Sequence, residues 1–515
     1  MRAKIFLGSA ICLAFPISVL AADWMQFGYD PTHSGNNTVE STLTANNVDQ
    51  LRRRYNVSLP SNVDGAPVYL SNVSTSGGTR DLLFLLAQNG NLMAIDAADG
   101  SVVWQHQESG QTPTTSSPAI DPNRNFVYAY GLDGFAHKYN VGTGVEVTGG
   151  GWPKLITLKT DVEKVAGSLT IGTFGSTTYL YVVTDGYSGD FGDYQGHITT
   201  ISLSTGDENI FNVMCSDLTI HFVEDGTPGS DDCNYADDPP MFRRGQMGGI
   251  WGRGGATYDA ATNSVYVATG NGDFNASDAG FDWGDSVLAL APDGIGSGGG
   301  LPLDSYTPTN FDALYMSDTD LGSVSLAILP VPSGQSVTHL GAQLGKDAMI
   351  RLIDLDNMSG TNIVGSVGGQ LQLIGVPQGG NSMSEQPAVW VDPQGTTWLL
   401  VANNAGVSGL KLRFTNLHTP FLESEWSHGG RSKSAVVAND VLYYAATCSG
   451  GYCLNAADPT TGDVLWTSSD HVGNLHWHSP IVINGAVYIT DGPTLYRYDL
   501  GTVNNDLIFA NGFDL

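Results

Sequence analysis

A chain of 515 residues has room for several ordinary domains, yet only 14% of it is charged, while glycine supplies 65 residues and proline 23. Acidic residues outnumber basic ones 51 to 21, giving a formal charge of −30 at pH 7. Such a surface repels phosphate backbones and anionic lipid, which excludes nucleic-acid and membrane-surface binding.

At the N-terminus Arg2 and Lys4 precede an apolar run from Ile5 to Leu20, and Val19, Ala21 and Ala22 supply the small residues that a signal peptidase requires. This is the layout of a secretory signal over residues 1–22, and its apolar run is short for a membrane span. The run continues past Cys12, which argues against a lipoprotein. Cleavage near Ala22 would leave a soluble exported chain of about 493 residues.

From Trp24 onward the sequence is a succession of short alternating runs broken by Gly, Asn and Asp, which reads as strands and turns. The runs repeat. Ala94 to Trp104 (AIDAADGSVVW) recurs as Ala456 to Trp466 (AADPTTGDVLW), with degenerate copies ending at Gly144, Gly206 and Gly294. A small or polar residue followed by Pro precedes several units, at Ala66-Pro67, Ser117-Pro118, Gln386-Pro387 and Ser479-Pro480. The Asp-x-x-Thr-Gly step predicts a tight turn in which Asp caps the backbone and Gly takes a positive φ. The following Trp falls on an outer strand, where it can wedge between neighbouring sheets. One such sheet cannot bury both faces alone, so radial stacking into a β-propeller is the stable solution. Unit starts near Gly65, Ser117, Gly167, Gly252, Ser323, Gln386, Ser434 and Ser479 give an all-β chain of eight four-stranded blades, with seven the alternative count. One propeller domain is expected over residues 23–505, with the stretch Trp24 to Gly28 completing its last sheet.

The exported chain would keep Cys215, Cys233, Cys448 and Cys453, an even number that favours two local disulfides, Cys215 with Cys233 and Cys448 with Cys453. A zinc site is the rival, though neither pair has the usual two-residue gap. The acidic loops around Asp231 to Asp238 and Asp273 to Asp285 are either solvated or calcium-holding, and they lack EF-hand spacing. His471, His476 and His478 cluster around Trp477. On a strand, His476 and His478 would share a face and could bind metal or hydrogen-bond across blades. The tail, residues 506–515, ends in an aromatic motif that is either a terminal tag or a plain strand.

These repeats resemble the PQQ-binding propeller repeat shared by quinoprotein alcohol dehydrogenases and non-catalytic outer-membrane assembly propellers. In the dehydrogenases, runs similar to Gly248 to Gly252 and Val265 to Gly272 surround the quinone. The resemblance implies that Trp251 forms the floor under PQQ and Asn271 ligates calcium, against the alternatives of a packing Trp and a turn Asn. The segment Tyr306 to Ser323 is similar to the one carrying the catalytic aspartate. Asp320 is its best match and Asp318 the runner-up, with a turn-capping Asp as the alternative role. Lys346 falls where the enzymes set a cation against the quinone oxygens. The chain departs from the family at the glutamate calcium ligand, where Asp190 or Asp193 stands instead. It also lacks adjacent cysteines and a Cys-x-x-Cys-His haem motif. The implied metal set is therefore Asn271, Asp190 and Asp320. The implied function is an exported, periplasmic or secreted, oxidoreductase of alcohols or sugars that passes electrons to a separate acceptor. The alternatives are an envelope scaffold with protein partners and a propeller that binds a glycan.

Overall fold

The computed structural model describes residues 22–189, 194–218, 247–380, 383–473 and 475–501. The expected signal peptide (apart from Ala22), Asp190, Asp193, Cys233, the acidic loop around it and the C-terminal tail lie outside these residues.

Seven four-stranded antiparallel meanders follow one another along the chain, the seventh also taking up the short parallel strand Asn36–Asn37, and an eighth blade is completed by a strand from the N-terminal part. Their first strands are Val68–Thr75, Ala119–Ile120, Thr170–Phe174, Thr257–Asp259, Ala327–Leu329, Ala388–Val391, Ser432–Ala438 and Ile481–Ile483. First strands of successive blades touch one another, so they form the inner ring of a propeller. Each unit start expected from the sequence falls at or within a few residues of one of these strands. The last blade contributes only Ile481–Ile483, Ala486–Thr490 and Gly492–Asp499, and its outer strand is Arg52–Val63, which pairs antiparallel with Gly492–Asp499. The two ends of the chain thus close the ring within one sheet, which leaves no open end to the stack.

The expectation that Trp24 to Gly28 completes the last sheet is corrected here. That segment continues into residues 29–37 and runs across the inner ring. Trp24 bridges Tyr69 of blade 1; Met25 and Gln26 accept from the amides of Ile120 and Ile171; Pro31, Ser34 and Gly35 accept from those of Tyr258, Val389 and Val437. Asn37 donates to the Val482 carbonyl. First strands carry unpaired polar groups on their axial edge, and this segment satisfies them, occupying the channel between the blades. Trp24 makes a single isolated bridge and the residues after it turn, so sequence pattern could not show that this segment's partners come from seven different blades.

The Asp-Gly turns behave as expected. Asp96 Oδ1 accepts from the Ala98 amide at 2.9 Å and Gly100 has φ +79°; Asp458 Oδ1 accepts from Thr460 at 2.7 Å and Gly462 has φ +75°. These turns join third to fourth strands. The antiparallel course therefore puts them on the face opposite the turns between second and third strands and the segments leading into each blade. Functional side chains on the second kind of segment all point to one end of the axis.

Candidate functional site

The segment leading into blade 4 and the turn after its second strand, Ser264–Ala268, are zipped together. Gly248 N donates to Asn271 O at 2.6 Å and Gly270 N to Gly249 O at 2.8 Å. A Cβ on Gly270 would stand 3.0 Å from the Trp251 ring nitrogen, so the glycine lets indole and turn lie side by side. This brings half-buried Trp251 next to buried Asn271.

Blade 5 supplies the other two residues. Asp320, 3% exposed, precedes the short 3-10 turn Leu321–Ser323 that leads into Ala327–Leu329. Lys346 lies in the turn between Leu340–Leu344 and Met349–Asp354, held there by its amide donating to Asp320 O at 2.9 Å. The Lys346 ammonium contacts Asp320 Oδ2 at 2.7 Å and Asp318 Oδ1 at 2.6 Å. It also stands 5.1 Å from the centre of the Trp251 ring. Asn271 links the same groups, donating from its amide to Asp320 Oδ1 at 3.0 Å and from Nδ2 to Asp318 Oδ1 at 3.2 Å. Burial works against the charged Lys346, but Asp320 and Asp318 outweigh it and raise its pKa. Trp251, Asn271, Asp318, Asp320 and Lys346 therefore form one contiguous group, drawn from two neighbouring blades.

Beyond the cluster of His476 and Trp477, sequence reasoning missed the rest of the axial surface, Arg253, Asp64, Asp185 and Glu385. Trp477 of blade 8 lies 6.2 Å from Trp251, centre to centre, stacked on one side by His476 at 3.8 Å and with the guanidinium of Arg253 at 4.7 Å. Arg253, 1% exposed, donates to Thr115 Oγ1 and O, and the carboxylates of Asp64, Glu385 and Asp185 oppose the effect of burial on it. Asp64 accepts from His476 Nδ1 at 2.8 Å and from Trp477 N at 3.1 Å. Although burial alone would raise its pKa, His476 and Arg253 hold it below the ordinary carboxylate range. Burial pushes Asp185 up to about 7 despite Lys164 nearby. Glu385 pairs with Lys433 at 2.7 Å. The available signals were an acidic residue just ahead of Ala66-Pro67 and Gln386-Pro387, and an Arg inside the glycine run 248–255.

The strand placement of His476 and His478 is corrected, while the alternative role, hydrogen-bonding across blades, is what His476 does with Asp64. His476 and His478 lie in a turn before Ile481–Ile483, not on a strand, so they do not share a sheet face. His476 reaches Asp64, whereas His478 Nε2 meets Val63 O at 2.8 Å and its Nδ1 accepts from His476 N. His471 stands apart, 3.2 Å from Cys448 Sγ. Cys448 and Cys453 form the expected disulfide, and Cys215 is also disulfide-bonded. In the Asp273 to Asp285 loop, Asp282 and Asp285 cap the amides of Cys215 and Leu321.

The donor set fits what the sequence resemblance implies. A half-buried indole face suits a planar ring system, the ammonium suits its oxygens, and an amide beside two carboxylates suits a hard cation.

The fold defines the chain as an eight-bladed β-propeller built from repeats that resemble the PQQ-binding repeat. The family model described as outer membrane protein assembly factor BamB matches residues 25–209. Among solved structures, the chain is similar to the quinohemoprotein alcohol dehydrogenase ADHIIG of Pseudomonas putida HK5 (14% identity, TM-score 0.61, 93% of this chain and 80% of that one). It is similar to a europium-containing methanol dehydrogenase (14%, 0.62, 93% and 98%) and to a quinohemoprotein alcohol dehydrogenase from Comamonas testosteroni (16%, 0.59, 93% and 80%). At these identities the likeness is one of fold. No curated protein matches the sequence. Among the described residues, no helix is long and apolar enough to cross a membrane.

Proposed function

We propose that this chain is an exported quinoprotein-like dehydrogenase that oxidises an alcohol or sugar at the axial site with PQQ and calcium. The observation that carries the reading is the convergence of Trp251, Asn271, Asp320 and Lys346 on one group. In this reading Trp251 and Lys346 would hold PQQ, and Asn271 and Asp320 would hold the cation, with Asp190 as the further ligand. PQQ, when bound, supplies the two-electron acceptor. Asp320 accepts the hydroxyl proton of the alcohol, and Lys346 keeps that carboxylate ionised and oriented until the substrate arrives. A separate carrier then removes the electrons.

Calorimetric titration of PQQ into the purified exported chain, with and without calcium, tests this. Calcium-dependent binding that Trp251→Ala or Asn271→Ala weakens at least tenfold is the expected result. No binding at tens of micromolar would sink the reading.

A second reading, an envelope scaffold, draws on the BamB family match and on the outer edges of blades 4 and 5. There Ile295, Leu301, Leu303, Ile363, Val367, Leu371 and Leu373 are all exposed. It predicts no PQQ binding and a protein partner seated on that edge.

A further inference from the structure

A separate group of metal-ligating side chains lies at the junction of blades 1 and 2, away from the Trp251 site. His137, 4% exposed, sits on the third strand of blade 2, Phe135–Asn140. Asp133 belongs to the turn just before that strand, and Glu108 follows the outer strand of blade 1, Val102–Gln107. One ligand atom from each of Glu108, Asp133 and His137 lies within 4.8 Å of the other two. His137 Nε2 is 3.1 Å from Asp133 Oδ1. Two ligands in adjacent positions, each about 2.1 Å from a common ion, stand roughly 3.0–3.4 Å apart, so this pair already has the separation that ligation needs.

Three independent features mark the place as built for a cation. The first is charge. Glu108, Asp133 and Glu146 surround a single imidazole, and among the described residues no lysine or arginine pairs with any of them. Even a protonated His137 leaves the group net negative. The second is the far side of the ring. His137 Nδ1 is held by Glu146 Oε1 at 2.7 Å, the carboxylate–histidine arrangement that fixes a ligating imidazole and raises its basicity. The third is space. Gly131 is not in the left-handed region, so its backbone does not demand glycine. Yet a Cβ there would stand 2.5 Å from Asp133 Oδ1 and 2.6 Å from His137 Nε2. The missing side chain leaves room at the donor pair itself.

We propose that Glu108, Asp133 and His137 bind a first-row divalent transition metal, with Glu146 as the residue that orients His137. The imidazole ligand selects zinc, cobalt or nickel over calcium and magnesium, which prefer all-oxygen sets. Because Glu108 comes from blade 1 and the other two from blade 2, the bound ion ties two blades together.

The test uses the exported chain stripped with a chelator and then dialysed. Zinc is titrated calorimetrically, and cobalt is titrated with its visible absorption recorded. One His137-dependent equivalent at micromolar or tighter affinity is expected, undisturbed by millimolar calcium. Glu146→Gln and Gly131→Ala should each weaken it about tenfold, with circular dichroism unchanged. If His137→Gln fails to fold, Glu108→Gln takes its place and should weaken zinc at least as much. Zinc binding that is equal in wild type and in every one of these variants overturns the proposal, as does the absence of any binding. The group would then be an imidazolium held between carboxylates.

Discussion

At the scale of single residues, the axial site rests on the pairing of Lys346 with Asp320. Asp320 is almost wholly buried and is held by the Asn271 amide and the Lys346 ammonium. Removing one partner of such a pair strands the other charge, whereas removing both can be nearly neutral. Lys346 is itself about a quarter exposed, so water offsets part of the loss. Lys346→Met should therefore destabilise the protein by about 2 kcal/mol. The double variant Lys346→Met/Asp320→Asn should recover most of that in a chemical-denaturation cycle. Additive losses would mean that the two groups are not coupled. The five residues of this group were legible in the sequence because each belongs to a local pattern that the resemblance interprets. Arg253, Asp64 and Glu385 were not, because what gives them meaning is their meeting at the axis from blades 4, 1 and 6.

At the scale of elements, blades are locked to one another by aromatic side chains that rest on the next blade's Asp-Gly turn. Trp104 on the outer strand of blade 1 donates from Nε1 to Val141 O at 2.9 Å, and a Cβ on Gly144 of blade 2 would meet its ring at 2.7 Å. Trp426 of blade 6 does the same on blade 7, donating to Pro459 O at 3.0 Å and lying against Gly462. At the ring closure Tyr55 and Val57 of the N-terminal strand lie against Gly100. Gly144 has φ +69°, so an alanine there meets both backbone strain and the indole. Gly175 has φ +59° with nothing within 4 Å of the same position. Gly175→Ala should then cost only the backbone share, about 1 kcal/mol, and Gly144→Ala at least about 2 kcal/mol more. Equal losses in urea unfolding would show that the indole moves aside freely. The repeat was readable because Asp, Gly and Trp keep fixed offsets within a blade. That the Trp would wedge between blades was read from the repeat; that it rests on the next blade's turn was not, since that contact joins residues 37 apart.

At the scale of the whole molecule, closing the ring with Arg52–Val63 and threading residues 24–37 through its axis buries polar groups from every part of the chain, and several titrate. Burial holds His197 and His478 neutral, each with a pKa pushed down to about 4, and it lowers His33 in the channel segment as well. In the unfolded chain the same imidazoles titrate near their ordinary value of about 6.5. Between about pH 6.5 and 4 the unfolded state therefore binds protons that the folded state does not, and stability is lost as pH falls through that window. Asp185 acts oppositely. Its folded pKa of about 7 lies above the unfolded value, so it adds stability as pH falls from about 7 toward 4. Each group contributes a slope of ~1.4 kcal/mol per pH unit where its two states differ. Asp282, Asp354 and Asp491 are also raised by burial and act in the same direction as Asp185, so the share of each imidazole is read from its own variant rather than from the whole curve of urea midpoint against pH. His197→Gln keeps a donor for Ile156 O but no longer titrates, so it should flatten the curve by one group's share. Asp185→Asn should steepen it. A His197→Gln curve that runs parallel to the wild-type curve between pH 6.5 and 4.5 would mean that this imidazole is reached by water in the folded state.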